Sequence, residues 1–505
     1  VVAGRGSRGA AKNGAGRVPK GYTYSFEMLG EGARTEEDAQ RYHKAYLDAI
    51  ERLAKESTFG DVRKNPGISI KLSALHPRYE YIKRETVVDE MVARVIELVK
   101  PAAKAQMGLN IDAEEADRLD ISLDIIEKVL KHKELEGWDG FGVVVQAYGP
   151  RASFVLDWLY ALAEKLDRKI MVRLVKGANL SMERVEAALA GWEQAPYATK
   201  AEVDANYKRC VDWALTAAAT QGVRFGIASH NLFDVAFAAI VAEERGVGDR
   251  VEMEMLEGMA PTHARTVRDD TGGLLLYTPV VAPADFDVAI SYLFRRLEEN
   301  AAAGNFIRDL PTLTASGRSF ATHEAQFRAA LAARNQVSTE SRRRVNRLAP
   351  LSATRTERAA PARESAERFT NDPLTDSSVA ANRAWVRAVV ATPSRPPVTE
   401  VTTRLDDIDA AFGRARGAAD DWAAQPPVER ARLLHAAADQ LDRRRGDLVS
   451  AMVHEAGKAF AQIDAEVCEA IDFARYYATL ALDLVDDRAT FDPFGVVAVI
   501  SPWNF

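Results

Sequence analysis

The chain has 505 residues, 47% of them apolar, and a formal net charge of −7. That length permits two or more cored domains, and the negative balance argues against nucleic acid as a bulk partner. The two cysteines, Cys210 and Cys468, make no disulfide framework and no metal-ligand spacing, so a reducing compartment and no metal are expected. No apolar run reaches membrane-span length and no signal peptide opens the chain, which makes the expected location cytoplasmic.

Residues 1–20 are rich in Gly and Arg and are expected to be disordered. Among them Gly4-Arg-Gly-Ser-Arg-Gly9 has dinucleotide-loop spacing, but no adequate strand precedes it and no helix follows, so no nucleotide is assigned there. Over residues 21–307, short runs rich in β-branched and aromatic residues recur every roughly 25 to 50 residues, most of them separated by helical periodicity. They are Tyr22 to Leu29, Ile68 to Ala74, Met107 to Ala113, Phe141 to Ala147, Ile170 to Lys176, Arg224 to Ser229, Val251 to Leu256 and Leu274 to Val280. Glu36 to Lys55, Val87 to Lys104 and Ala116 to Lys131 have the amphipathic spacing of an outer helical ring. Eight strand-then-helix units over about 290 residues predict an α/β fold, the (β/α)8 barrel.

In such a barrel the chemistry sits where strands end. The ends here are polar: Lys71, Asp112, Gln146, Arg173 and Lys176, then His230 and Asn231 after the sixth strand, and Tyr277 in the eighth. A strand buried on both faces should read as nearly continuous Val, Ile and Leu. A lone Lys71 or Asp112 would fit a structural ion pair. Several such residues on one rim describe a pocket with net positive charge, suited to a phosphate-bearing cofactor and an acidic substrate.

The next helix carries Tyr292, Arg295, Arg296, Glu299 and Asn300 at the spacing that a surface helix reserves for its apolar stripe. Two guanidinium groups turned inward repel each other and lose hydration, so an anion must compensate; a small carboxylate gripped by the planar fork would do it. The alternative is a solvated face, with Leu293, Phe294 and Leu297 turned into a core. The polar strand ends upstream favour the first reading.

Residues 308–368 shift to Arg, Ala, Ser, Thr and Pro, and apolar periodicity fades except around Ala325 to Arg334, so a connector or covering arm is expected. From 369 to 505 the pattern is of long amphipathic helices: Asp406 to Ala423, Val428 to Leu448 and Ala465 to Ala481. The stretch from Pro493 then reads as a strand running into a turn at Pro502-Trp503-Asn504-Phe505.

The motifs Ser-Ile-Lys-Leu-Ser-Ala-Leu-His-Pro at 69–77, Ile-Asp-Ala-Glu-Glu-Ala-Asp-Arg-Leu at 111–119, Arg-Leu-Val-Lys-Gly-Ala at 173–178 and Tyr-Leu-Phe-Arg-Arg-Leu-Glu-Glu-Asn at 292–300 resemble those of the proline dehydrogenase family, in family order along the barrel. More narrowly the chain is similar to the bifunctional proline utilization A flavoenzymes, because residues 369–505 resemble the amino-terminal part of an aldehyde dehydrogenase. The resemblance implies non-covalent FAD, which takes a hydride from L-proline to give Δ1-pyrroline-5-carboxylate and passes electrons to a membrane quinone. Transient contact with the inner membrane face and an oligomer are implied with it. By motif position, Arg295, Arg296 and Lys71 hold the proline carboxylate, Tyr292 and Leu256 pack on its ring, and Asp112 balances the cations. Gln146 and Arg173 face the flavin ring, Arg173 near N5; Lys176, Gly177 and Ala178 line the pyrophosphate, with Thr199, His230 and Asn231 nearby. Tyr277 belongs to the same cofactor site, Glu299 holds ribityl or ribose hydroxyls, and Phe306 lies near adenine. One departure is Asn179-Leu180, where many family members have Tyr-Trp; two rings are lost there, but the carboxylate clamp is untouched.

In the intact parent, Asn504 would stabilise an oxyanion as L-glutamate γ-semialdehyde is oxidised with NAD. No phosphate loop or catalytic cysteine of that enzyme follows Phe505, so the second site is expected to be incomplete and its helices poorly ordered alone. Two alternatives stay open: a barrel lyase using Lys71 or Lys176 as a Schiff-base amine, and a non-catalytic scaffold.

Overall fold

The structure is a computed structural model that describes residues 21–29, 32–281, 286–302, 304–349, 369–393, 404–483 and 494–500, except the side chains of 286–288, 291 and 299. The chain divides into two compact units, residues 1–186 with 194–342, and residues 187–193 with 343–505. The Gly4–Gly9 run, residues 350–368 and Asn504 lie outside the described residues.

In the first unit β1 (Tyr22–Met28), β2 (Gly67–Ile70), β3 (Leu109–Ile111), β4 (Phe141–Gln146), β5 (Ile170–Val175), β6 (Val223–Ala228), β7 (Val251–Leu256) and β8 (Leu274–Val280) close into one barrel in sequence order. All neighbours are parallel, and β1 pairs with β8 from Tyr22 opposite Leu274 to Met28 opposite Val280. The barrel is the one the sequence predicts, but β2 and β3 are shorter than expected. Leu72–Ala74 is a 3-10 turn rather than strand; Lys71, still extended, is the last residue before it and lines the cavity at the rim.

Helices α1 (Glu36–Ala54), α2 (Arg84–Lys104), α3 (Leu119–Leu130), α4 (Ala152–Leu166), α5 (Leu180–Ala190), α6 (Lys200–Ala214), α7 (Leu232–Glu244), α8 (Pro261–Thr271) and α9 (Phe286–Ala301) follow the strands. Thr35 starts α1 with a capping box: its side chain accepts the Asp38 N–H and the Asp38 carboxylate accepts back. The core lies between strands and helices. Phe26, Ile68, Ile70, Leu109, Ile111, Val143, Val172, Leu174, Phe225 and Ile227 are all buried there.

Side chains alternate across a strand, so the positions between these face the barrel axis. There the residues are Ser25, Glu27, Ser69, Asn110, Arg173 and Glu254, all buried and polar. A barrel interior is ordinarily filled with branched apolar side chains. Here glycines on neighbouring strands make room for polar ones. A Cβ at Gly142 would lie 1.6 Å from Asn110 Oδ1, and Gly142 is paired with Asn110.

The stretch expected as a connector carries structure of its own: α10 (Phe306–Asp309) and α11 (Arg318–Ala333). Arg209 of α6 donates from Nε to Arg334 O at 2.7 Å, and Tyr197 Oη donates to Ser338 O at 2.5 Å. Small alanines at close spacing let α11 pack without a strong apolar stripe, which is why its periodicity is faint.

The second unit contains α12 (Ala380–Ala391), α13 (Leu405–Ala423), α14 (Pro427–Arg443), α15 (Arg445–Ala456) and α16 (Phe460–Asp483). Its small core is Ala438, Val449, Ile463, Val467 and Ile471, and α13 buries no residue. The single helix expected over Val428 to Leu448 is two. The chain leaves helical geometry at Arg444, and buried Arg445 bonds to Asp372, Asp442 and Asp464. Gly446, a weak helix former, follows it. Residues 494–500, expected as strand, have no paired neighbour among the described residues, and Phe494, Val499 and Ile500 are exposed.

Candidate active site

A cavity of about 360 Å3 opens at the C-terminal ends of the strands. Lys71, Asp112, Gln146, Arg173, Lys176, Gly177, Ala178, His230, Asn231, Leu256, Tyr277, Tyr292, Arg295, Arg296 and Phe306 all line it. Thr199 does not: its hydroxyl caps α6 by accepting the Glu202 N–H, and its neighbour Lys200 lines the cavity instead. The Glu299 side chain lies outside the described residues.

On α9 the polar face is turned in and the apolar face out. Phe294 is 62% and Leu297 64% exposed, whereas Tyr292 is buried and the Arg296 guanidinium lies 5.1 Å over its ring. That excludes the reading in which Phe294 and Leu297 enter a core. Arg295 Nη1 is 3.1 Å from Met182 Sδ of α5.

Lys71 Nζ pairs with Glu27 and, at 3.2 Å, with Asp112 Oδ2; that oxygen also accepts the Tyr277 hydroxyl at 2.9 Å. Arg173 sits deeper. Its Nε donates to Glu254, its Nη1 to Ser69 Oγ at 2.9 Å, and its guanidinium lies 4.9 Å from the Tyr277 ring centre. Burial disfavours this cation, but Glu254 and Asp112 outweigh that and hold its pKa above the ordinary value. Arg173 Nη2 is buried with no hydrogen-bond partner among the described residues.

Lys176 Nζ is 2.5 Å from Asp204 Oδ1 and 2.9 Å from Asp234 Oδ2. Asp204 also pairs with Lys200, and Asp234 with the fully buried Lys208. Burial alone would depress the Lys176 ammonium; the two carboxylates reverse the sign and raise it. Gly177 adopts φ +137°, and a Cβ there would meet the Tyr148 ring at 2.4 Å. Gln146 spans the floor, donating to Glu114 O at 2.8 Å and accepting the Ala178 N–H at 3.3 Å.

Asn231 caps α7, its Oδ1 accepting the Phe233 N–H at 3.0 Å. Phe306 packs edge-on against Phe233 and His323.

Glu27, Glu254 and Lys200 are the residues that sequence reading missed. The signal for the first was present, since Thr23, Ser25 and Glu27 alternate with Tyr22, Tyr24, Phe26 and Met28 along the strand. Their inclusion changes the electrostatics. Lys71, Arg173, Lys176, Lys200, Arg295 and Arg296 face Glu27, Asp112, Glu114, Glu115 and Glu254, an excess of a single positive charge.

The chain is similar to known proteins in sequence and fold. A family model described as proline dehydrogenase fits residues 10–309. The chain belongs to the proline dehydrogenase family. A second model, for the aldehyde dehydrogenase family, fits residues 393–505, so a proline dehydrogenase segment is followed by part of an aldehyde dehydrogenase segment, as the motifs imply. The bifunctional protein PutA of Escherichia coli K12 is 34% identical over 520 residues, covering 96% of this chain and 38% of that protein. PutA of Rhizobium meliloti is 36% identical over 516 residues, covering 96% and 40%. The structure of proline utilization A from Corynebacterium freiburgense superposes with a TM-score of 0.76 at 34% identity, over 95% of this chain and 45% of that one. The chain thus spans about two fifths of the length of the curated relatives it matches. Among the described residues no helix is long and apolar enough to cross a membrane.

Proposed function

We propose that the chain oxidises L-proline to Δ1-pyrroline-5-carboxylate with FAD held non-covalently at the barrel mouth, and passes electrons to a quinone-type acceptor. What carries the reading is the presence of Lys71, Tyr292, Arg295 and Arg296 around one cavity whose floor holds Arg173 and His230. The residues fit a flavin nucleotide. Arg173 Nη2 and His230 Nδ1 are buried donors with no acceptor among the described residues, and Lys176 and Lys200 line the same cavity.

In this reading Arg295, Arg296 and Lys71 bind the proline carboxylate, while Tyr292 and Leu256 hold the ring. Fixing one end of a small rigid substrate orients the reacting carbon, and orientation of this kind supplies several of the roughly 7–11 kcal/mol open to it. The paired guanidinium groups also favour the neutral amine, the form that can lose hydride. Lys176, Lys200, Gly177 and Ala178 suit the diphosphate, with Thr199 behind them as a cap and His230 and Asn231 beside them. Gln146, Arg173, Asp112 and Tyr277 suit the flavin ring, Glu299 its hydroxyls, and Phe306 the adenine. When bound, the flavin accepts the hydride from the carbon next to nitrogen.

A Schiff-base lyase is not favoured. Lys71 is paired with two carboxylates, and Lys176 is held as an ammonium by Asp234 and Asp204, whereas a lysine nucleophile must be neutral. For the second segment, oxidation of L-glutamate γ-semialdehyde with NAD is proposed only for a longer parent. Cys468 is no nucleophile for it: burial pushes its thiol up to about 12. Transient attachment at the inner membrane face and self-association belong to the same proposal; vesicle flotation and sedimentation velocity test them. The catalytic reading is tested by Arg295→Met and Arg296→Met. Each should lower kcat/KM for L-proline about 10- to 100-fold, the loss of a charge-assisted bond.

A further inference from the structure

Below the rim the barrel interior holds charges that the reaction above does not use. Glu254 on β7 is buried; it accepts the Arg173 Nε–H, and its Oε1 has no hydrogen-bond partner among the described residues. Gly226 on β6 makes room for it, since a Cβ there would lie 1.8 Å from Oε1. Arg173 is therefore gripped at Nε and Nη1, and Nη2 is left over. Two residues earlier on the same strand face, Glu252 accepts no hydrogen bond among the described residues. The charges acting on it are Glu254 on β7, Arg224 on β6, Arg173 on β5 and Arg63 in the loop before β2.

We propose that Glu254 is a positioning residue that fixes the Arg173 guanidinium, that Glu254 and, two residues behind it, Glu252 offset the charge of Arg173, and that they so set the reduction potential of the flavin. This rests on the flavin reading above. Positive charge beside a flavin stabilises its reduced form, and a carboxylate behind that charge works against it. The effect falls with distance, so Glu254 outweighs Glu252. Burial, with Glu254 beside it, pushes the Glu252 carboxyl up to about 7, so its part is present above neutral pH and absent below.

The test is a spectroelectrochemical titration of the FAD-loaded chain at pH 8 and pH 5.5. Glu254→Gln keeps an oxygen for Arg173 and removes the charge; the reduced-to-oxidised ratio at fixed potential should rise about tenfold, about 30 mV for a two-electron couple. Glu254→Asp keeps the charge and should stay within about twofold of the parent. Glu252→Gln loses no hydrogen bond and serves if Glu254→Gln fails to fold. It should give a rise of about threefold at pH 8 and none at pH 5.5. An unshifted or lowered potential in Glu252→Gln at pH 8, or in folded Glu254→Gln, overturns the proposal. If the parent chain takes up no flavin, the functional reading fails and this inference with it; normal uptake with unshifted potentials sinks the inference alone.

Discussion

The Leu256 backbone N–H donates to His230 Nε2 at 3.0 Å, and that one bond fixes which ring nitrogen carries the proton. With Nε2 accepting, the neutral ring bears its hydrogen on Nδ1. Burial first, then Arg296 and His263, push the His230 pKa down to about 4. Nitrogen NMR should therefore show a neutral Nδ1–H tautomer from pH 5 to 8; a protonation midpoint above 6 would contradict this. The linkage sign follows. The unfolded ring takes up a proton near 6.5 and the folded one near 4, so this contribution to stability is complete above 6.5 and is lost as pH falls toward 4.

Thr199 and Lys200 are neighbours with separable tasks. Thr199→Ala removes a helix cap and should cost about 0.5–2 kcal/mol in denaturant unfolding, with FAD affinity little changed. Lys200→Met should leave stability near the parent's and weaken FAD binding in fluorescence titration, with a smaller dependence on salt than the parent.

Gly177 tolerates no side chain, because φ +137° is strained for an L residue and the added Cβ would strike the Tyr148 ring. Gly177→Ala should cost about 1–3 kcal/mol and reduce FAD retention on gel filtration. A variant with parental melting temperature and full flavin content would remove Gly177 from the cofactor cradle.

Lys208 and Asp234 are both buried, and Lys208 is Asp234's partner on the side away from Lys176. Truncating one member of a buried pair leaves the other uncompensated, so Lys208→Met should destabilise the barrel unit by about 3–5 kcal/mol. Equilibrium urea unfolding measures it; a loss below about 1 kcal/mol would mean that Lys176 and the Ser229 hydroxyl satisfy Asp234 without Lys208.

The barrel was legible because its outward strand residues, such as Ile68, Val172 and Phe225, recur at the right intervals with helical spacing between. The inward polar face of α9 was legible because Tyr292, Arg295, Arg296 and Asn300 stand where an apolar stripe would. Glu27 and Glu254 were harder to see. Each is an acidic residue inside a strand, and only the barrel's register brings it to Lys71 or Arg173, both distant in sequence. The break at Arg444 was hidden for a similar reason. The carboxylates that draw Arg445 inward include Asp372, 73 residues away.

The proposed oxidation of L-proline requires that Arg295 and Arg296 grip its carboxylate over a flavin in this barrel. Anaerobic addition of L-proline to the FAD-loaded chain tests it most directly. Bleaching of the flavin absorbance by L-proline, and its failure in Arg296→Met, is the outcome expected. Flavin that binds but stays oxidised in excess L-proline, or bleaches equally in Arg296→Met, would contradict it.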